Sequence, residues 1–380
     1  MNFKSKLPKV ETSIFTIMSQ LANKFGAINL SQGFPNFEID SALKSFVKEG
    51  LDMEQVQYAP MTGREDLRDA IVRKINEQHL VSVNSDSEIT ITAGATQAIY
   101  TVFSAMLNPR DEVIIFDPAY DCYDPSIKLQ GATPIHLELQ YPSYSINWTQ
   151  VNAAINKNTK MIVVNNPHNP TGSVLTPNDI SELESIIELH PNLLLLSDEV
   201  YEHIQFDGAH QSFLRSNILR ANSFVTYSFG KTFHVTGWKL GYCVAPSILT
   251  EEFRKVHQFN VFCVNNTMQY AIAKYLNKTS SWRDVMPLYK KKRGLFLEAM
   301  KSSRLKPLAC DGTYFALFDY SAISQENDVD FAKRITKEFG VATIPTSVFY
   351  EKKTDHKVIR ICFAKTDQTL IDAAKLLSKI

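Results

Sequence analysis

Six short runs in the middle of this chain read as strands that are apolar on both faces, and this pattern restricts the fold more than anything else in the sequence. They are EITIT (Glu88 to Thr92), EVIIF (Glu112 to Phe116), MIVV (Met161 to Val164), LLLLSDEV (Leu193 to Val200), SFVTYS (Ser223 to Ser228) and LGYCVA (Leu240 to Ala245). A strand without a polar face belongs in a sheet covered by helices on both sides. Helical patterns lie between several of the runs. One spans about Thr96 to Met106; another begins at Thr176-Pro177, where Thr can cap and Pro takes the first helical position. The alternation predicts an α/β domain with a mostly parallel sheet.

At 380 residues the chain is too long for one small core and suits two domains. The last hundred residues read as a separate, smaller α/β unit. It comprises a charged helix near Trp282 to Lys301, a strand through Thr313 to Asp319, a helix near Asp330 to Phe339, a strand through Lys357 to Ala364, and a closing helix from Asp367. The expected division is therefore a large domain over 46–275 and a small one over 276–380. Residues 1–45 show little regular pattern and are expected to pack on the small domain or on another subunit.

Charge and cysteine usage exclude several classes. Forty basic residues balance forty acidic ones, which gives no electrostatic reason to expect a nucleic-acid or membrane-surface partner. The five cysteines are odd in number and widely spaced, and no C-x-x-C occurs, so neither a disulfide framework nor a structural zinc site is expected. The opening MNFKSKLPKV lacks the apolar stretch of a signal peptide, and no run approaches the ~20 apolar residues of a membrane helix. A cytoplasmic location is the simplest expectation.

Several familiar motifs fail. Gly230-Lys231-Thr232 resembles the end of a P-loop, but the required upstream glycine is Val225. No G-x-G-x-x-G follows a strand, no H-E-x-x-H occurs, and the histidines show no metal-ligand spacing.

The chemistry lies at strand ends, where open α/β sheets bind ligands. After the first strand, Thr92-Ala93-Gly94-Ala95-Thr96-Gln97 turns into a helix whose free N–H groups make an anion site, although a plain connecting turn has the same look. Asn165-Asn166-Pro167-His168-Asn169-Pro170-Thr171-Gly172 is a stiff loop that can hold Asn169 as a fixed hydrogen-bonder, or merely a turn that tolerates unusual backbone angles. Asp198 follows four leucines at the edge of a dry core; such a carboxylate needs a partner or its pKa rises, so a cation is expected beside it unless it is a helix cap. Lys231 lies between two buried strands amid aromatic and small residues. Burial would make it a nucleophile toward carbonyls, whereas a lone lysine is ordinarily a solvated surface charge. Arg360 shares a strand face with Val358 and Cys362, where a guanidinium wants a bidentate anion such as a carboxylate unless it snorkels at the strand edge.

An anion site, a buried carboxylate, a fixed amide and a nucleophilic lysine recur together in pyridoxal 5'-phosphate (PLP) chemistry. The strings SQGFPNF, YAPMTGREDLR, TAGATQA, FDPAYDCY, NNPHNPTG, SDEVYEH, SFGKTFHVTGWKLGYCVAP, GTYFALFDY and RICFAK, in this order across nearly the whole chain, resemble the fold-type I, class I/II aminotransferases. Within that family the chain is most similar to the bacterial methionine and the kynurenine/glutamine aminotransferases. The resemblance implies PLP as cofactor, amino acid and 2-oxo acid substrates, and a homodimer with active sites at the subunit interface. It implies that Lys231 is the Schiff-base lysine and proton shuttle. Asp198 would pair with the pyridine nitrogen, Asn169 and Tyr201 would bond the ring hydroxyl oxygen, and Tyr120 would stack on the ring. Ala95, Thr96, Ser228 and Lys239 would hold the phosphate, with Tyr58 reaching the neighbouring subunit's phosphate. Arg360, Asn169 and the backbone near Gly33 would take the substrate carboxylate.

Two positions depart from the family pattern. Lys239 stands where many relatives carry Arg, and no second arginine matches the one that aspartate-type enzymes use for a side-chain carboxylate. With Phe34, Tyr58, Tyr120 and Tyr314 as candidate pocket residues, a methionine-like or aromatic substrate is expected. Two other functions use overlapping features: a PLP-dependent β-lyase on cysteine conjugates or cystathionine, and a PLP-binding regulator without catalysis. The regulator is disfavoured by the neutral charge and by an N-terminal stretch that matches the enzyme family.

Overall fold

The computed structural model describes residues 4–380. Seven strands form the central sheet: β1 (Ile89–Thr92), β2 (Glu112–Asp117), β3 (Thr133–Glu138), β4 (Thr159–Asn165), β5 (Leu194–Asp198), β6 (Ser223–Ser228) and β7 (Gly241–Val244). Their order is β1-β7-β6-β5-β4-β2-β3. β7 is antiparallel to both its neighbours and the remaining pairings are parallel, so β7 alone runs against the other six strands. The carboxyl ends of β1, β2, β4, β5 and β6 consequently open on one edge of the sheet.

Both faces are covered, as the apolar runs require. Val113, Ile115, Val163 and Leu196 pack into one hydrophobic cluster, while Ile114, Ile162, Leu195 and Val225 pack into the other. This is the two-residue period of a strand buried on both sides, and each such side chain contributes about 1.5–3 kcal/mol. The first cluster continues into the C-terminal unit through Phe318, Ile359 and Ile361.

The six expected strands are present, and β3 is an addition. It lies at the edge of the sheet, its residues are exposed or only half-buried, and it carries Pro134 and His136. An edge strand without a dry face gives no apolar run to read. The expected helices are also present. Helix α2 covers Ala95–Met106, and α3 covers Pro177–Leu189 behind a capping box in which Thr176 and Asp179 satisfy each other's backbone N–H groups.

The C-terminal residues form a four-stranded antiparallel sheet centred on β8 (Phe315–Asp319) and β9 (Val358–Cys362), with helices α4 (Val285–Ala299), α5 (Asp328–Glu338) and α6 (Asp367–Leu377). The N-terminal stretch is more regular than expected. Helix α1 (Ile14–Phe25) starts at a Ser13 cap and ends at a left-handed Gly26. It packs against α5, and Ile28–Asn29 pairs in parallel with Val341–Ala342.

Candidate active site

A cavity of about 280 Å³ opens at the carboxyl edge of the central sheet. Its wall includes Gly33, Ala95, Thr96, Tyr120, Asn169, Asp198, Tyr201, Ser228, Lys231, Lys239 and Arg360. All but two of the residues singled out from the sequence therefore meet in one place. Tyr314 lies behind the wall, and Tyr58 is 82% exposed and rests edge-on against Phe262 outside this cavity.

Each wall residue follows from a strand end. After β1, Gly94 takes a positive φ of 79° and α2 begins with no side chain capping its first turn. Ala95 and Thr96 of that turn line the cavity, and with no side-chain cap among the described residues their N–H groups form a ready anion cradle. A Cβ at Gly94 would sit 3.5 Å from the Lys239 ammonium, so the glycine leaves that cradle open beside a cation. The reversed course of β7 puts Lys231 and Lys239 on a single connection, residues 229–240, between β6 and β7. Lys231 is half-buried, and burial brings its amine down to about 8; nearby Arg360 and Lys239 push the same way, while Asp198 opposes.

Asp198 ends β5 and is buried. Burial raises its carboxyl to about 6, against the stabilising hydrogen bond from Tyr123. The cationic partner expected from the sequence is replaced, within the chain, by a phenol: Tyr123 donates to Asp198 Oδ2 at 2.6 Å. A phenol can neutralise the need for a hydrogen bond while leaving the charge in place. The other oxygen, Oδ1, is buried with no partner among the described residues. Tyr123 was not singled out, although it sits in the quoted FDPAYDCY string.

Asn165 was also missed as an individual residue. It ends β4, donates to the Asp198 carbonyl at 2.8 Å, and accepts the Asn169 N–H at 2.7 Å. That pair of bonds ties the Asn169 loop to the strand bearing Asp198. Asn169 in turn accepts from Arg360 Nη1 at 2.7 Å.

Arg360 is 1% exposed and lies on β9, opposite Leu317. Nη2 donates to the Ser31 carbonyl at 3.0 Å, and the guanidinium stacks 3.9 Å from the Phe315 ring centroid. Nε has no partner among the described residues. Among the described residues no carboxylate forms an ion pair with Arg360, and the Asp121 carboxylate acts on it only through space, so an anion entering the cavity meets a dry cation with a donor to spare. At Gly33 a Cβ would come within 2.6 Å of Phe315, so only glycine allows the chain to pass this close.

Tyr314, expected in the pocket, is instead fully buried behind it, and its hydroxyl donates to the Gly33 carbonyl at 2.7 Å. The aromatic side chains that do line the cavity are Phe15, Phe34, Tyr120, Tyr201 and Phe315.

The pattern of the family described as aminotransferase class I and II matches residues 26–377. The methionine aminotransferase of Escherichia coli K12 is 44% identical over 379 residues, covering 99% of this chain and 98% of its own. The kynurenine–oxoglutarate transaminase of Dictyostelium discoideum is 31% identical, covering 97% and 94%. The crystal structure of YbdL from Escherichia coli, reported with a methionine aminotransferase function, superposes with a TM-score of 0.98 at 43% identity over the whole of both chains. The chain belongs to the aminotransferase class I and II family and is an aminotransferase.

Proposed function

We propose that this aminotransferase uses PLP and moves the amino group of methionine or a similarly apolar L-amino acid to a 2-oxo acid. The observation that carries the cofactor reading is the unpartnered, buried Oδ1 of Asp198 in a cavity shared with the half-buried Lys231 amine. This oxygen would accept from a protonated ring nitrogen. The open Gly94 cradle, the uncapped start of α2, Ser228 and Lys239 fit a phosphate at the other end. When bound, PLP supplies an aldehyde that takes up the amino group and an electron-withdrawing ring that lets the α-proton leave.

The chain's own groups divide the remaining work. Lys231 Nζ, brought near 8, is close enough to neutral pH to accept the α-proton and return it. Asp198 stays ionised above about 6 and would hold the ring nitrogen charged. Asn169 and Tyr201 would hold the ring hydroxyl, and Tyr120 would lie against the ring; all three line the cavity. Arg360, with Asn169 and the Gly33 backbone, takes the substrate carboxylate. Phe15 and Phe34 at the wall favour an apolar side chain, and the resemblance to methionine aminotransferases points the same way.

A homodimer is part of this proposal. Tyr58, Phe262, Met53 and Val56 are large apolar side chains left exposed, and a contiguous exposed apolar patch marks an interface. In a dimer Tyr58 would serve the neighbouring site.

The test is the visible absorption of the purified protein before and after L-methionine. A yellow band that methionine bleaches supports both cofactor and substrate class. A band that aspartate bleaches rapidly and methionine leaves unchanged refutes the substrate class. A protein that stays colourless with added PLP refutes the cofactor. Lys231→Ala is expected to lose turnover altogether, measured as 2-oxo acid formation.

A further inference from the structure

Five consecutive carbonyls, Leu30 to Phe34, are each held by a donor from the C-terminal unit. The Cys362 N–H donates to Leu30 O at 2.9 Å. Arg360 Nη2 donates to Ser31 O at 3.0 Å, and the Tyr314 hydroxyl to Gly33 O at 2.7 Å. Lys365 Nζ donates to the carbonyls on either side of Gly33, at 3.4 Å to Gln32 O and 2.7 Å to Phe34 O. The same ammonium lies 4.4 Å from the centre of the Phe34 ring.

Gln32, Gly33 and Phe34 line the cavity. The Gln32 N–H is taken by Asn29 Oδ1 at 3.4 Å, whereas the Gly33 N–H lies anti to the Gln32 carbonyl that Lys365 holds and is the amide left for the cavity. Lys365 is 2% exposed, and no carboxylate pairs with it among the described residues. A buried ammonium is costly to keep. Here it is kept where it can do two things: fix the backbone around Gly33 and seat the Phe34 ring.

We propose that Lys365 is a positioning residue for the substrate carboxylate, holding Gln32 to Phe34 so that the Gly33 amide edge faces the anion beside Arg360. This rests on the reading of Arg360 as the carboxylate clamp. Lys365 touches neither substrate nor cofactor; it acts through the backbone it grips.

The experiment uses PLP-loaded protein and two fragments of methionine. One, 4-(methylsulfanyl)butanoate, keeps the carboxylate and lacks the α-amino group. The other, 3-(methylsulfanyl)propylamine, keeps the amine and lacks the carboxylate. In Lys365→Met the inhibition constant of the carboxylate fragment and the KM for methionine should both rise about tenfold, the size of one lost charged hydrogen bond. kcat, cofactor content and binding of the amine fragment should stay within about threefold. Lys365→Arg, which can still donate to both carbonyls, should recover most of the loss. If Lys365→Met does not fold, Lys365→Gln carries the same test with one donor retained. Equal weakening of both fragments, or of neither, overturns the proposal. A wild-type protein that does not bind the carboxylate fragment, with Arg360→Ala equally indifferent, overturns the clamp reading itself.

Discussion

At the scale of the residue, two opposed shifts set the working pH of the site. Burial lowers the Lys231 amine to about 8 and raises the Asp198 carboxyl to about 6. Lys231 is therefore neutral and nucleophilic above about 8, and Asp198 is an anion above about 6. Uptake of PLP by the cofactor-free protein should accelerate as pH rises from about 6 and level off above about 8. Stopped-flow absorbance measures it, and a rate flat across that range would falsify the assignment of Lys231. Residues of this kind were legible because their types are conspicuous: a lysine among aromatic residues, a carboxylate after four leucines, an arginine in an apolar strand. Tyr123 and Lys365 were not. A tyrosine in a helix start and a lysine after a strand look ordinary until the fold brings one within 2.6 Å of Asp198 and buries the other against Phe34.

Elements were legible in proportion to how dry they are. The interior strands announce themselves by unbroken apolar runs, whereas β3 does not. It is held to the sheet partly by charge: the His136 imidazole bonds Asp117 at 2.8 Å and Asp124 at 3.1 Å. Burial alone would lower this histidine, but the two carboxylates overcome it and hold the imidazolium up to about 9. Because the folded pKa lies above the ordinary value near 6.5, the stabilisation is complete below that value and lost as pH rises through about 9. His136→Gln should lower Tm by a few degrees near pH ~6 and by almost nothing above pH ~9. Scanning calorimetry at both pH values checks this; a gap independent of pH would show that the ring's shape matters and its charge does not. Helix α1 was missed although Ser13 and Gly26 bracket an amphipathic stretch, because an isolated helix among irregular residues lacks the alternation that identified the others.

At the scale of the whole molecule, the family resemblance supplied what strand patterns could not, including the expectation of a dimer in which Tyr58 would serve a neighbouring site. Mixing inactive Lys231→Ala protein with Tyr58→Phe protein, then exchanging subunits, should give hybrids with one complete site. Their activity at limiting PLP should exceed the sum of the two parents; no gain after exchange would place Tyr58 outside the partner's site. Within one chain the cavity is built by two bodies joined at a seam. Lys231, Asp198, Ser228, Lys239 and the start of α2 all ride on the central sheet, while Arg360, Tyr314 and Lys365 ride on the C-terminal unit. On the proposed reading, the cofactor and the substrate carboxylate thus have different hosts. A change confined to the C-terminal unit should therefore trouble the visitor and spare the lodger.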